Sequence, residues 1–149
     1  MDNLQLYVLT FAVTAIWDIV LRIMSENYNK LLPMLQFDFI KYLQPYFEKH
    51  TILSAALIAG FIGFCTQPII LNIQNFPTNI YNYQIILQFL LITFIISSLF
   101  GFIMKWSNLF PHLNNTYYKN LGTIRSMYHD GISGIIVQLT ILFIIYSIS

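Results

Sequence analysis

Four long apolar runs separated by more polar stretches set the plan of the chain, at about 4–24, 52–73, 85–104 and 131–148. A helix of about 20 residues crosses a hydrocarbon core of roughly 30 Å. The pattern therefore predicts four transmembrane helices, the last near the short limit for spanning. Between the first two lies a mixed stretch, 29–49. There Leu31, Leu32, Met34, Leu35, Phe37, Phe39, Ile40, Leu43, Tyr46 and Phe47 alternate irregularly with Lys30, Asp38, Lys41, Glu48 and Lys49. It is too polar to span and too apolar to be a free loop, which predicts an amphipathic segment lying on the membrane. The competing reading is a segment packed on another protein. Pro33 and Pro45 bracket it, and each suits the start of a helix better than its middle. Residues 72–84 form an uncharged polar connection and 107–129 a longer polar loop. The predicted fold class is an all-α integral membrane protein, a single membrane domain over 1–149.

Composition agrees. Hydrophobic residues make up 57% and charged residues 9%, against about 25% charged in an ordinary soluble domain. Mean hydropathy is +0.66. A net charge of +1 offers nothing to attract nucleic acid. The single cysteine, Cys65, excludes an intrachain disulfide or a multi-cysteine metal site and reads as a small buried packing residue. The N-terminus, Met1-Asp2-Asn3, lacks the basic region of a secretory signal. The first run is therefore expected to be a mature helix with its N-terminus translocated.

The charges fix an expected orientation. Arg22, Lys30, Lys41 and Lys49 flank or fill the first connection; Lys105, Lys119 and Arg125 flank or fill the third. With four spans these connections share a side, so all 7 basic residues fall together. The positive-inside rule makes that side cytoplasmic and puts both termini on the other. The sequon Asn114-Asn115-Thr116 would then stay unglycosylated, and Lys105-Trp106 reads as an interfacial anchor.

Small residues mark expected helix contacts. Ala56, Ala59, Gly60 and Gly63 in the second run, and Ser97 and Gly101 in the third, sit at spacings that allow close approach. Packing within the bundle is the plainer use; a face for an oligomer is the other. Gln67-Pro68 predicts a kink in the second helix.

Candidate chemistry centres on Asp18, Arg22 and Glu26, an acid–base–acid stripe at four-residue spacing. Asp18 lies about 14 residues into the first helix, roughly 21 Å at 1.5 Å per residue. A lone charge at mid-membrane costs about 2.5–3.5 kcal/mol even on lenient scales, so Asp18 needs a partner and Arg22 has the right spacing. The stripe reads first as an ion-pair ladder fixing helix depth and second as an ion or proton site. A conducting path would need polar steps further out, and Gln67, Gln88, Thr93 and Gln138 make a thin line. His50, Lys105, Arg125, His129 and Asp130 are expected to share a polar belt at the inner boundary, with Asp130 capping the last helix. No pair among His50, His112 and His129 has metal-ligand spacing, and no cofactor is expected. Tyr117 and Tyr118 read as interfacial aromatics. No nucleophile elbow, P-loop or zincin helix is present.

The stretch Leu109-Phe110-Pro111-His112-Leu113-Asn114-Asn115-Thr116-Tyr117-Tyr118, then Tyr128-His129-Asp130-Gly131-Ile132-Ser133-Gly134, in a short chain rich in Ile, Asn and Tyr, resembles the small multi-spanning membrane proteins of large icosahedral DNA viruses. That resemblance implies a minor capsid-associated protein in the virion's internal membrane, contacting capsid components. The expected function is thus a non-enzymatic structural or assembly role. Besides the lipid bilayer, its partners would be membrane or capsid proteins, met through 29–49 and 107–129. The alternative, from the stripe, is a small channel, transporter or proton-handling subunit of a membrane complex.

Overall fold

The computed structural model describes residues 2–111, 114 and 117–148. His112 and two members of the sequon, Asn115 and Thr116, lie outside the described residues. Among those described, the protein is all-helical. Five α-helices lie within the described residues: α1 (Asn3–Glu26), α2 (Asp38–Lys49), α3 (Ile52–Ile73), α4 (Tyr83–Ser107) and α5 (Thr123–Ile148). All but α2 are long and apolar enough to cross a membrane.

Helices α1, α3 and α4 start where a side chain satisfies a free N–H group. Asp2 accepts from the Gln5 amide at 2.7 Å while Gln5 accepts from the Asp2 amide at 3.1 Å, a reciprocal box. Thr51 Oγ1 caps α3 by accepting from the Ser54 amide, and Asn82 Oδ1 caps α4 by accepting from the Ile85 amide. α4 ends at Asn108, whose φ of 53° breaks the helix in the left-handed region. α5 begins eight residues before the expected start of the last span, so its 26 residues are ample for a crossing. Asp130 is therefore inside α5 and not its cap.

Two tight pairs make the bundle: α1 lies along α3, and α4 along α5. Glycine and serine permit the close approach. Gly60 abuts the Phe11 ring and Gly63 abuts Thr14, while Gly101 abuts Asp130 and Gly134 abuts Ser97. The pairs meet along two thinner seams, α1 against α5 and α3 against α4. Trp17 Nε1 donates to Thr140 Oγ1 at 2.9 Å across the first seam, and an amide–amide bond from Gln138 on α5 to Gln67 on α3 ties the two pairs diagonally. Tyr146 Oη also donates to the Pro77 carbonyl at 2.7 Å, fastening α5 to the α3–α4 connection.

Polarity runs inside out. Thr10, Gln67, Thr93, Ser98, Ser126 and Gln138 are buried, whereas Leu53, Phe61, Leu87, Leu91 and Phe143 are exposed. Such a distribution suits helices long and apolar enough to cross a membrane, because in an apolar solvent polar groups gain by facing one another. Cys65 belongs to the outward face with Phe61 and Ile69, and is exposed rather than buried. Helix α3 runs unbroken through Pro68 from Ile52 to Ile73.

The segment 29–49 departs from expectation. Only Asp38–Lys49 forms an α-helix, preceded by 3-10 turns at Tyr28–Lys30 and Pro33–Leu35. Ile40, Leu43, Tyr46 and Phe47 form its buried face. Leu43, Tyr46 and Phe47 cluster with Ala55, Met104, Tyr117, Tyr118 and Leu121. The apolar face of α2 is thus turned onto the end of its own bundle and not onto lipid. Pro45 sits inside α2, tolerated because it and Lys41, whose carbonyl loses a partner, are both on the exposed side. Tyr117 and Tyr118, expected at a membrane surface, are part of this buried cluster. Lys105 is no simple anchor either: its ammonium donates to the carbonyls of Tyr118, at 2.7 Å, and Leu121, closing the 3-10 turn Tyr118–Asn120.

One contact is especially exacting. A Cβ on Gly131 would lie 2.5 Å from Ser98 Oγ and 2.6 Å from the Phe94 ring. Gly131→Ala is expected to destabilise the α4–α5 pair by about 1–3 kcal/mol, the usual cost of overpacking, seen as a lower unfolding midpoint in mild detergent.

A candidate ligand cavity between the helix pairs

Because close contact is confined to each pair, the space between the pairs is not filled. Ala59 and Gly63 on α3, Ser97 on α4, and Ser133 and Gly134 on α5 border it, and each is too small to close it. The result is a cavity of about 510 Å³, inside the size range of small-molecule sites. Phe39, Ile40, Leu43 and Tyr46 of α2, with Tyr117 and Tyr118, form one end.

The polar lining comes from stripes at four-residue spacing. Thr10, Thr14 and Asp18 descend α1, and Asp130, Gly134 and Gln138 run along α5. Thr14 Oγ1 donates to the Thr10 carbonyl at 2.7 Å and Thr10 Oγ1 to the Leu6 carbonyl at 2.8 Å. These hydroxyls are therefore satisfied within their own helix. Thr93 Oγ1, Gln138 Oε1 and Asp18 Oδ2 are buried and accept or donate no hydrogen bond. All three residues line the cavity.

The expected Asp18–Arg22 pair does not form. Arg22 turns the other way: Nη1 donates to the His50 carbonyl at 2.8 Å and Nε to Glu26 Oε1 at 3.0 Å. Its guanidinium lies 5.8 Å from the centre of the Phe47 ring. The reason is local. His50 ends α2, whose last carbonyls lack intrahelical donors, and a five-donor guanidinium satisfies such a group while keeping its charge near water. Arg22–Glu26 is the ion pair among the described residues, and Asp18 is left facing the cavity.

Asp130 accepts from Tyr118 Oη at 2.7 Å. Burial, and then the Asp130 charge and this hydrogen bond, push the Tyr118 phenol well above its ordinary range, so it stays a donor. Tyr46 is pushed up as well, by burial and then by Asp18. Tyr46 also acts on Tyr118, so the two phenols connect the surroundings of the two acids.

The remaining members of the expected belt do separate work. Lys105 closes a turn, the His50 carbonyl receives Arg22, and Arg125 Nη1 reaches Tyr42 Oη at 3.4 Å. His129 packs 5.2 Å from the Phe39 ring centre. Only Asp130 among them lines the cavity. Of the thin polar line, Gln67 and Gln138 bond to each other, Thr93 is buried, and Gln88 is exposed. The small residues Ala56, Gly60, Gly63, Ser97 and Gly101 are used inside the bundle, with Gly131 and Gly134 as unforeseen partners. Among the described residues no three His, Cys, Asp or Glu side chains converge as metal ligands.

Sequence reasoning followed the stripe from Asp18 outward to Arg22 and Glu26. The same spacing runs inward to Thr14 and Thr10, and that signal leads to the cavity. Comparison with protein-family models, with characterised proteins and with solved structures yields no match.

The geometry separates Arg22 from Glu26 energetically. Arg22→Ala should cost about 1.5–3 kcal/mol, as for a charged hydrogen bond to a partly buried carbonyl. Glu26→Ala, on an exposed carboxylate, should cost roughly 0.5 kcal/mol or less. Thermal unfolding of the two variants in one detergent checks the order, and equal losses would contradict it.

Proposed function

We propose that the protein is a non-enzymatic, multi-pass membrane protein that holds a small amphipathic molecule between its helix pairs, as a carrier or as the binding subunit of a membrane complex. The cavity carries this reading. A cavity of about 510 Å³ lined by all five helices leaves the side chains around it short of packing partners. An occupant would supply them.

Orientation in this reading follows the basic residues. Arg22 and Lys105 lie near the ends of α1 and α4, while Lys30, Lys41, Lys49 and Lys119 lie in the segments that follow those helices, with Arg125 in the first turn of α5. That end, closed by α2, faces the cytoplasm, and both termini face the opposite side. Asn114 should consequently remain unglycosylated when the chain is inserted into glycosylation-competent microsomes, and a gel shift removed by endoglycosidase would reverse the orientation.

A structural or assembly role is the second reading, and one observation favours it. The connection before α2 exposes Leu32, Met34 and Phe37 at 64%, 76% and 51%, an apolar edge suited to docking. If the likeness to virion membrane proteins holds, the layer beneath a capsid is the place for such docking.

Filling the cavity tests the first reading. Ala59→Phe and Ser133→Phe place a ring in the void without touching the Arg22 or Lys105 anchors. Protein purified in mild detergent should carry a small molecule in native mass spectrometry, and both variants should lose it while remaining folded. An empty parent, or variants that retain the molecule, would favour the assembly role.

A further inference from the structure

Among the described residues, Asp18 and Asp130 are the charged ones lining the cavity, and no Lys, Arg or His accompanies them. Arg22, the nearest expected counter-charge, is committed to the His50 carbonyl and Glu26. A carboxylate taken out of water without a partner is costly, so the site favours an occupant that brings positive charge. Aromatic rings supply the second element. Trp17 adjoins Asp18 in sequence, and Tyr46, Phe100, Tyr117 and Tyr118 line the same space. Rings beside carboxylates suit an ammonium group, which gains from both the π-faces and the anion.

A bare metal cation fits poorly. Hard cations need about six or more oxygen ligands, and most of this lining is aliphatic or aromatic. The walls between Leu21, Ile58, Ile62 and Val137 suit a hydrocarbon stem. Asp130 already accepts from Tyr118, whereas Asp18 Oδ2 is buried without a partner, which makes Asp18 the stronger attractor. Thr93 and Gln138 leave polar atoms further along, and both residues are almost fully buried. The carboxylates are thus not an isolated cluster but one end of a polar-studded, otherwise apolar chamber.

We infer that the cavity binds an amphipathic organic cation, its ammonium held by Asp18 and Asp130 among the aromatic rings and its apolar stem lying between the helix pairs. This deepens the ligand-binding reading above and rests on it.

The test uses the full chain in lipid nanodiscs, with Trp106→Phe leaving Trp17 as the fluorescent reporter inside the cavity. Three probes carry alkyl stems of seven or eight carbons: octyltrimethylammonium, octanol and octanoate. Octyltrimethylammonium should change Trp17 emission saturably and bind at least about tenfold more tightly than the other two. Asp18→Asn should weaken it by about tenfold or more, Asp130→Asn by less, and the exposed Glu26→Gln by no more than about twofold. Octanol or octanoate binding as tightly as the cation would overturn the charge assignment while leaving a ligand-binding cavity in place. No saturable response to any of the three would overturn the cavity's role as a binding site altogether. Because the comparison among probes is made on protein with both acids intact, a misfolded acid variant does not decide it.

Discussion

Close helix contact is confined to two pairs, and most of the interior follows from that restriction. Where Gly60 and Gly63 meet α1, and where Gly101, Gly131 and Gly134 meet their opposite helix, backbones come near enough for dispersion to hold them. In a membrane, lipid tails are as apolar as leucine, so extra apolar area between helices adds little. Between the pairs run a few polar ties: Trp17 to Thr140 from α1 to α5, and Gln67 to Gln138 from α3 to α5. Four such helices need not close on each other completely, and here the centre stays open.

The end closure has a different origin. Helix α2 carries apolar residues on one side only, and that side is buried against α1 and the α4–α5 connection. Its own C-terminal carbonyl at His50 is satisfied by Arg22, while Lys105 satisfies the turn after Tyr118. Two cations that look like membrane-depth markers are thus also structural donors. Their commitment to backbone carbonyls leaves Asp18 and Asp130 outside the ion pair that forms among the described residues.

Much of the fold was legible. The four long apolar runs correspond to α1, α3, α4 and α5, because hydrophobic length is a one-dimensional property set by bilayer thickness. The small-residue faces of the second and third runs were legible for a similar reason, since a missing side chain can be read without knowing its neighbour. Cys65 was misjudged because an apolar run does not say which side faces inward; a mean moment is weak when every face is apolar. Pro45 and the start of α5 depended on whether freed backbone groups were exposed or capped, which local composition does not specify.

The site was legible only in fragments. Asp18 and Asp130 stand out in any reading, but their roles turn on where Arg22 and Tyr118 point, and each points to a group far away in sequence. The sequence by itself determined an all-helical chain with four helices long and apolar enough to cross a membrane, its basic residues gathered toward one end, and its charge concentrated near helix termini. Only the tertiary structure decided that α2 turns its apolar face onto the bundle, that Arg22 forsakes Asp18 for the end of that helix, and that the two acids share a cavity. Periodicity and hydropathy are properties of neighbours along the chain, whereas a choice between equally spaced hydrogen-bond partners is settled by which backbone group is left unsatisfied when the helices pack.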